Sequence, residues 1–246
     1  MKTFVTLAIF FFSTACTGQV DSAWISQNFM PGYSKDTGLY LPAIDLVDEN
    51  GNKKTLSDFK GKVLYIDVWT TWCGNCIAGF PFSKKLYARL KSIHLDTSVQ
   101  FINICSEDSK RQWKKLLKKH QPEGINLYAK DTSFYKTWGI ELFPRYLIID
   151  GEGKIMAFDA PGVDDGSVDY ILYAAAKGVK PAVSVWIEPR QSEYFLKYQR
   201  FTNDPEGIDY EKWFNATVAQ RYADSKERQE QQKTKGKPAP IPAKGF

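Results

Sequence analysis

Two thiols set the chemical possibilities of this chain. Cys73 and Cys76 bracket Gly74-Asn75, directly after the apolar run Val63-Leu64-Tyr65-Ile66-Asp67-Val68-Trp69 and at the start of a helical stretch at about 76–93 that Pro81 interrupts. A Cys-x-x-Cys between a buried strand and a helix points to a thiol–disulfide pair. The helix N-terminus presents unpaired N–H groups and the positive end of the helix dipole, which favour thiolate over thiol. Cys73, at that cap, is therefore expected to be the exposed attacking sulfur, with a pKa below the free value of about 8.5. Cys76, one turn in, is expected to be buried and to resolve the mixed disulfide that Cys73 forms with a partner thiol. Two other readings compete. Zinc requires about four ligands, and the chain offers no second Cys pair and only two histidines, His94 and His120; no metal is expected. A purely structural bridge closes so short a loop that it constrains the unfolded chain little.

The elements that must position the pair can be read from the residue pattern. Residues 41–47 alternate like a strand, Asp48-Glu49-Asn50-Gly51-Asn52 is a turn signal, and residues 54–62 predict a strand end, a short helical turn capped by Ser57 and an exit through Gly61. The run at 63–69 fits a central strand covered on both faces. Residues 99–105 predict a second buried strand, and 107–120 an amphipathic helix with Trp113, Leu116 and Leu117 inward and Lys110, Lys114 and Lys118 on a solvated face. A strand at 125–128 and a short helix at 132–138 follow. Residues 146–150 and 154–158 flank Gly151-Glu152-Gly153 as a β-hairpin, and a last helix covers about 166–177. The order β-β-α-β-α-β-α-β-β-α predicts an α/β domain at 41–177, a mixed sheet with helices on both faces. Cys105 ends the strand expected to neighbour the active-site strand. Parallel strands share one carboxyl edge, which puts Cys105 near the pair unless it is simply a small buried residue.

The chain of 246 residues is 43% hydrophobic and 25% charged with a net charge of +5, which excludes extended disorder and gives no argument for nucleic acid. Four cysteines are too few for a disulfide scaffold. Residues 1–16 carry Lys2, a nine-residue apolar run and Ser13-Thr14-Ala15-Cys16. That pattern reads as a secretory signal too short to span a bilayer. Cleavage after Ala15, Gly18 or Ala23 is one fate. Lipidation of Cys16, which would attach the protein to a membrane, is the other, although Ser13 stands where a lipobox usually has a Leu-like residue. Residues 17–40 read as a tether, 178–232 as a C-terminal extension that is helical from about 210 to 232, and 233–246 as a disordered tail rich in Lys, Pro, Ala and Gly.

Taken together, several segments resemble the thioredoxin fold, and within it the TlpA/ResA-type envelope thiol-disulfide oxidoreductases, neighbours of the peroxiredoxin superfamily. They are Leu56-Ser57-Asp58-Phe59-Lys60-Gly61-Lys62, Val68-Trp69-Thr70-Thr71-Trp72-Cys73-Gly74-Asn75-Cys76, Pro81, Tyr135-Lys136-Thr137-Trp138-Gly139-Ile140 with Phe143-Pro144, and Leu147-Ile148-Ile149-Asp150-Gly151-Glu152-Gly153-Lys154-Ile155. The resemblance covers about 41–177. It implies that Pro144 follows a cis bond beside the Cys pair, that the Phe143 backbone pairs with an extended client, and that Trp69 and Trp72 shield the sulfurs and pack against clients at the Gly74-Asn75 tip. Two departures stand out. Many such proteins carry a Glu three residues after the second Cys, where this chain has Gly79. Asp67 instead lies where thioredoxins place a buried Asp, and is expected to take the proton from Cys76. Gly74-Asn75 also lacks the proline common in reducing thioredoxins.

The implied function is an exported oxidoreductase that exchanges disulfides with client proteins, as a reductant supplied by an envelope or membrane donor, with no cofactor beyond the Cys73–Cys76 pair. A thiol peroxidase is the runner-up, since Thr70-x-x-Cys73 has the right spacing, but Ile66 stands where that motif wants Pro. A third reading is an envelope binding module whose aromatic extension, with Trp186, Tyr194, Phe195, Tyr198, Phe201, Trp213 and Phe214, docks a partner.

Overall fold

The computed structural model describes residues 37–106, 109–178 and 205–234. The expected signal segment with Cys16, most of the 17–40 tether, residues 107–108, the part of the extension at 179–204 with Trp186, Tyr194, Phe195, Tyr198 and Phe201, and residues 235–246 lie outside the described residues. The strands are β1 (Leu46–Val47), β2 (Lys53–Lys54), β3 (Val63–Trp69), β4 (Val99–Ser106), β5 (Ile125–Ala129), β6 (Arg145–Ile149) and β7 (Ile155–Ala157). The helices are α1 (Gly74–Lys91), α2 (Lys110–His120), α3 (Phe134–Thr137), α4 (Val168–Ala176) and α5 (Pro205–Thr234).

The seven strands form one mixed sheet in the order β2-β1-β5-β4-β3-β6-β7. β3 runs parallel to β4 and antiparallel to β6, and all seven of its residues are buried. Alternation sorts its side chains between two cores. Tyr65 and Trp69 face α1, α2 and α4: Tyr65 packs with Phe82 and Leu86 of α1 and Ile171 of α4, and Trp69 with Trp113 of α2. Leu64, Ile66 and Val68 face the opposite side, against Phe134 and Trp138. The parallel neighbours β3–β4 and β4–β5 need crossovers, supplied by α1 and α2. The expected mixed sheet with helices on both faces is present.

Three details differ from the sequence expectation. The strand expected at 41–47 shortens to Leu46–Val47, which pair with Ala129 and Tyr128 of β5. Pro42 has no N–H for a ladder; its carbonyl instead accepts the Trp138 indole N–H at 2.9 Å. The helical turn at 56–59 is a 3₁₀ turn capped by Thr55 rather than Ser57, because Asp58 reaches back to accept the Thr55 N–H at 2.9 Å. Gly61 then exits at φ +89°, a left-handed conformation that favours glycine. The helix expected at about 210–232 extends over 205–234 and so takes in Lys233 and Thr234, expected to be disordered.

An ion cluster joins α5 to the domain. Arg89 of α1 is buried and donates to both carboxylate oxygens of the fully buried Asp169 of α4, at 2.7 and 3.0 Å, and to Asp224 of α5 at 2.8 Å. Lys85 adds contacts to Asp224 and Glu227 at 2.9 and 3.2 Å. Removing one member of a buried pair strands the other charge. Asp169→Ala is therefore expected to destabilise the protein by about 3 kcal/mol, a fall of roughly 6–12 °C in melting temperature by circular dichroism. A shift below about 2 °C would mean that water already screens Arg89.

Candidate active site

β3 ends at Trp69, and after three intervening residues Cys73 caps α1. The Cys73 N–H donates to the Thr70 carbonyl at 3.1 Å, closing the turn between them. Cys73 is the N-cap of α1, and its sulfur accepts the Cys76 N–H at 3.1 Å. Two residues separate the sulfurs, so one helical turn brings them together, and Cys73 and Cys76 are disulfide-bonded with their Cα atoms 5.3 Å apart. The expectation of an exposed Cys73 needs correction. Bonded to Cys76, Cys73 is only 6% exposed and packs with Trp69 and Phe80, while Cys76 is fully buried. Gly74 is exposed, and Asn75 is partly so.

Beside the pair, Trp72 is 59% exposed and meets Phe143 edge-on, with ring centroids 5.9 Å apart. Phe143 also meets Tyr135 edge-on at 5.6 Å and packs against the cluster that holds both cysteines. The Phe143–Pro144 bond is cis. Leu142, the residue before Phe143, is also exposed. Sequence reasoning passed over Leu142, because an apolar loop residue carries no signal until its neighbours are known.

Beneath the pair, Asp67 lies on β3 between Asn103 of β4 and Tyr146 of β6 in register. It is two residues from Trp69, so both point to the sheet face on which Cys76 packs against Trp69. Burial pushes the Asp67 carboxyl up to about 8, and its Oδ1 has no hydrogen-bond partner among the described residues. Gly79, at the position where the family resemblance leads one to expect Glu, packs its Cα face against Tyr146 Oη and Val163 Cγ2; a Cβ there would lie 3.5 Å from each. A carboxylate at that position would have to pass between them. Cys105 sits opposite Trp69 in the β3–β4 register, is fully buried and belongs to the cluster that contains both paired cysteines. Among the described residues no group of three His, Cys, Asp or Glu is placed to hold a metal ion.

One site residue comes from outside the expected domain. Arg228 of α5 is buried, and its Nη2 donates to the Asn75 carbonyl, inside the Cys-Gly-Asn-Cys segment, at 2.5 Å. Nothing in the sequence links positions 153 residues apart.

The sequence model of the Redoxin family matches residues 36–172. The thiol-disulfide oxidoreductase ResA of Bacillus thuringiensis is 27% identical over 121 residues, which cover 49% of this chain and 68% of that protein. ResA of Bacillus subtilis is 28% identical over 122 residues, 48% of this chain and 64% of that protein. A crystal structure from Bacteroides vulgatus, assigned as a thiol-disulfide oxidoreductase, superposes with a TM-score of 0.50 at 29% identity, over 56% of this chain and 95% of that one.

The position of Asp67 makes stability depend on pH. In the unfolded chain its carboxyl titrates in the ordinary range near about 4, whereas in the folded protein it holds its proton up to about 8. Between those values the unfolded chain has released a proton that the folded chain keeps, so stability falls as pH rises through this window. Asp67→Asn has no such proton. Its melting temperature relative to wild type is expected to climb between pH 5 and pH 8, by a gain of about 4 kcal/mol, roughly 8–16 °C. A difference that stays constant from pH 5 to pH 9 would refute the assignment of a buried, protonated carboxyl.

Proposed function

The chain belongs to the Redoxin family, and from that premise we propose that this thiol-disulfide oxidoreductase is exported and reduces disulfides in client proteins through Cys73 and Cys76. The observation that carries the reading is the bonded Cys73–Cys76 pair at the N-terminus of α1, set at the carboxyl end of a fully buried strand. When the pair is reduced, the Cys73 thiolate attacks a client disulfide. A Cys73–client disulfide forms, and one client thiolate leaves. Cys76 then attacks the Cys73 sulfur; the Cys73–Cys76 bond forms, and the second client thiolate leaves. Two electrons pass to the client, which takes up two protons. A thiol donor in the envelope or its membrane returns the pair to the dithiol state by the same exchange.

Asp67 is assigned as the base that accepts the Cys76 proton in the second step. A carboxyl held near 8 is close in acidity to a thiol, which is where proton transfer between the two is efficient. Trp72, Leu142 and Phe143 form the apolar lip against which the client lies, with the Phe143 backbone and the loop ending in Pro144 beside it and Gly74-Asn75 at the tip. The direction of transfer rests on the likeness to TlpA/ResA-type proteins, and export on the signal-like segment 1–16 with Cys16 as a lipid attachment point. Among the described residues no helix is long and apolar enough to cross a membrane.

Cys76→Ser removes the resolving sulfur and should stall the exchange. Expressed in cells, the variant is expected to accumulate thiol-sensitive adducts through Cys73 in the envelope fraction, identified by mass. Adducts through Cys105, or confined to the cytosol, would overturn the reading. In stopped-flow reduction of a protein disulfide, Asp67→Asn should slow release of the mixed disulfide by about 10²–10⁴-fold at most while leaving its formation largely unchanged. Both rates staying within about twofold of wild type would make Asp67 a packing residue only.

A further inference from the structure

Helix α5 lies beyond the 36–172 segment that carries the family match, yet it reaches the redox pair. Its contacts run along α1 toward the Cys end. Glu227 and Asp224 meet Lys85, and Asp224 meets Arg89. Arg221 Nη1 donates to the Gly166 carbonyl in the loop before α4 at 2.6 Å. Arg228 is the contact nearest the pair: it is 3% exposed, and Nη2 holds the Asn75 carbonyl at 2.5 Å.

The balance of charge around Arg228 is uneven. Its strongest contact goes to a neutral carbonyl. Its counter-charge, Asp164, lies 3.4 Å from Nε as an ion pair without hydrogen-bond geometry, and the Asp164 side chain is 26% exposed, so water shares it. The guanidinium also lies 5.8 Å from the centre of the Phe82 ring. The carboxylates of Asp224 and Glu227 are engaged by Lys85 and Arg89 instead. A buried cation whose counter-charge is partly hydrated and not hydrogen-bonded to it is incompletely neutralised and adds positive potential on the first turn of α1, in the same sense as the helix dipole at its cap.

We propose that Arg228 is a positioning residue for the redox pair: from a helix outside the redox domain it fixes the first turn of α1 through the Asn75 carbonyl and adds positive potential that favours the reduced, thiolate-bearing pair. The chemistry is that of the exchange reaction proposed above. Its measure is the equilibrium of the pair with glutathione, in which the Cys73–Cys76 bond breaks, two glutathione thiols are oxidised to one disulfide, and two protein thiols form. This equilibrium reads the pair itself, so it holds whether or not any protein client is found. Failure of Cys76→Ser to trap a client would leave this inference standing, and an unchanged equilibrium in the variants below would sink it while the trap still worked.

The full mature chain is equilibrated with glutathione buffers, and the pair is scored by thiol labelling. Arg228→Met keeps the apolar stem but loses the charge and the donors. Its equilibrium constant for reduction is expected to fall about tenfold, equivalent to about 30 mV toward a more reducing pair. Arg228→Lys keeps the charge and should recover most of that loss. Asp164→Asn, at a partly exposed position, removes the counter-charge and should shift the constant the opposite way, making the pair easier to reduce. A folded Arg228→Met variant within twofold of wild type, a Lys variant shifted as far as Met, or an Asp164→Asn shift in the same direction as Met would each overturn the proposal. Should Arg228→Met not fold, the sign of the Asp164→Asn shift decides.

Discussion

Everything at the site depends on the complete burial of β3. A strand flanked by β4 on one side and β6 on the other, with helices over one face and the Phe134–Trp138 region over the other, has no exposed edge and no solvated face. Its backbone register is then fixed by two ladders at once. The point where it ends, and hence the point where α1 begins, is fixed with it. Cys73 caps that helix because the chain has only three residues between Trp69 and the cap in which to turn. The same burial makes Asp67 costly to ionise, so the strand that aims the sulfurs also creates the raised carboxyl below them.

The surroundings of the pair are unequal on its two sides. Toward the loop before β6, Trp72 and Leu142 are exposed and Phe143 half-buried, an apolar lip open to solvent. Along α1, the flank is closed by α5 through hydrogen-bonded charges: Lys85, Arg89, Asp169, Asp224 and Arg228. Apolar surface left exposed is suited to transient contact with many partners, whereas buried, geometrically matched charges fix one arrangement of the chain. The open, apolar side of the site and the side closed by the chain's own charges are therefore distinguished by their chemistry.

Much of this was legible in the sequence because it rests on local rules. The Cys-x-x-Cys spacing, the continuous apolar run of β3, the outward lysines and inward Trp113 of α2, and the Gly151-Glu152-Gly153 hairpin each follow from a period or a turn residue within a few positions. They sufficed for the mixed sheet, the helix-capped thiol pair and the likeness to thiol-disulfide oxidoreductases. Local rules failed where competition between nearby groups decided the outcome. Thr55 rather than Ser57 caps the turn at 56–59, since Asp58 reaches the Thr55 N–H, and of the strand expected at 41–47 only Leu46–Val47 pair with β5.

Tertiary structure alone decided the rest, because those features depend on which distant residues share a volume. Burial of Cys73 follows from its bonding to Cys76 against Trp69 and Phe80. The carboxyl of Asp67 is raised by being enclosed, and composition does not reveal how closely α1, β4 and β6 surround it. The Trp72–Phe143 lip joins residues 71 positions apart. Arg228, in a segment whose sequence reads only as a polar helix, becomes part of the site through one hydrogen bond to Asn75. The sequence determined which residues carry sulfur chemistry and the elements that present them; the packing of elements far apart in the chain determined the charge, the solvent and the neighbours those sulfurs meet.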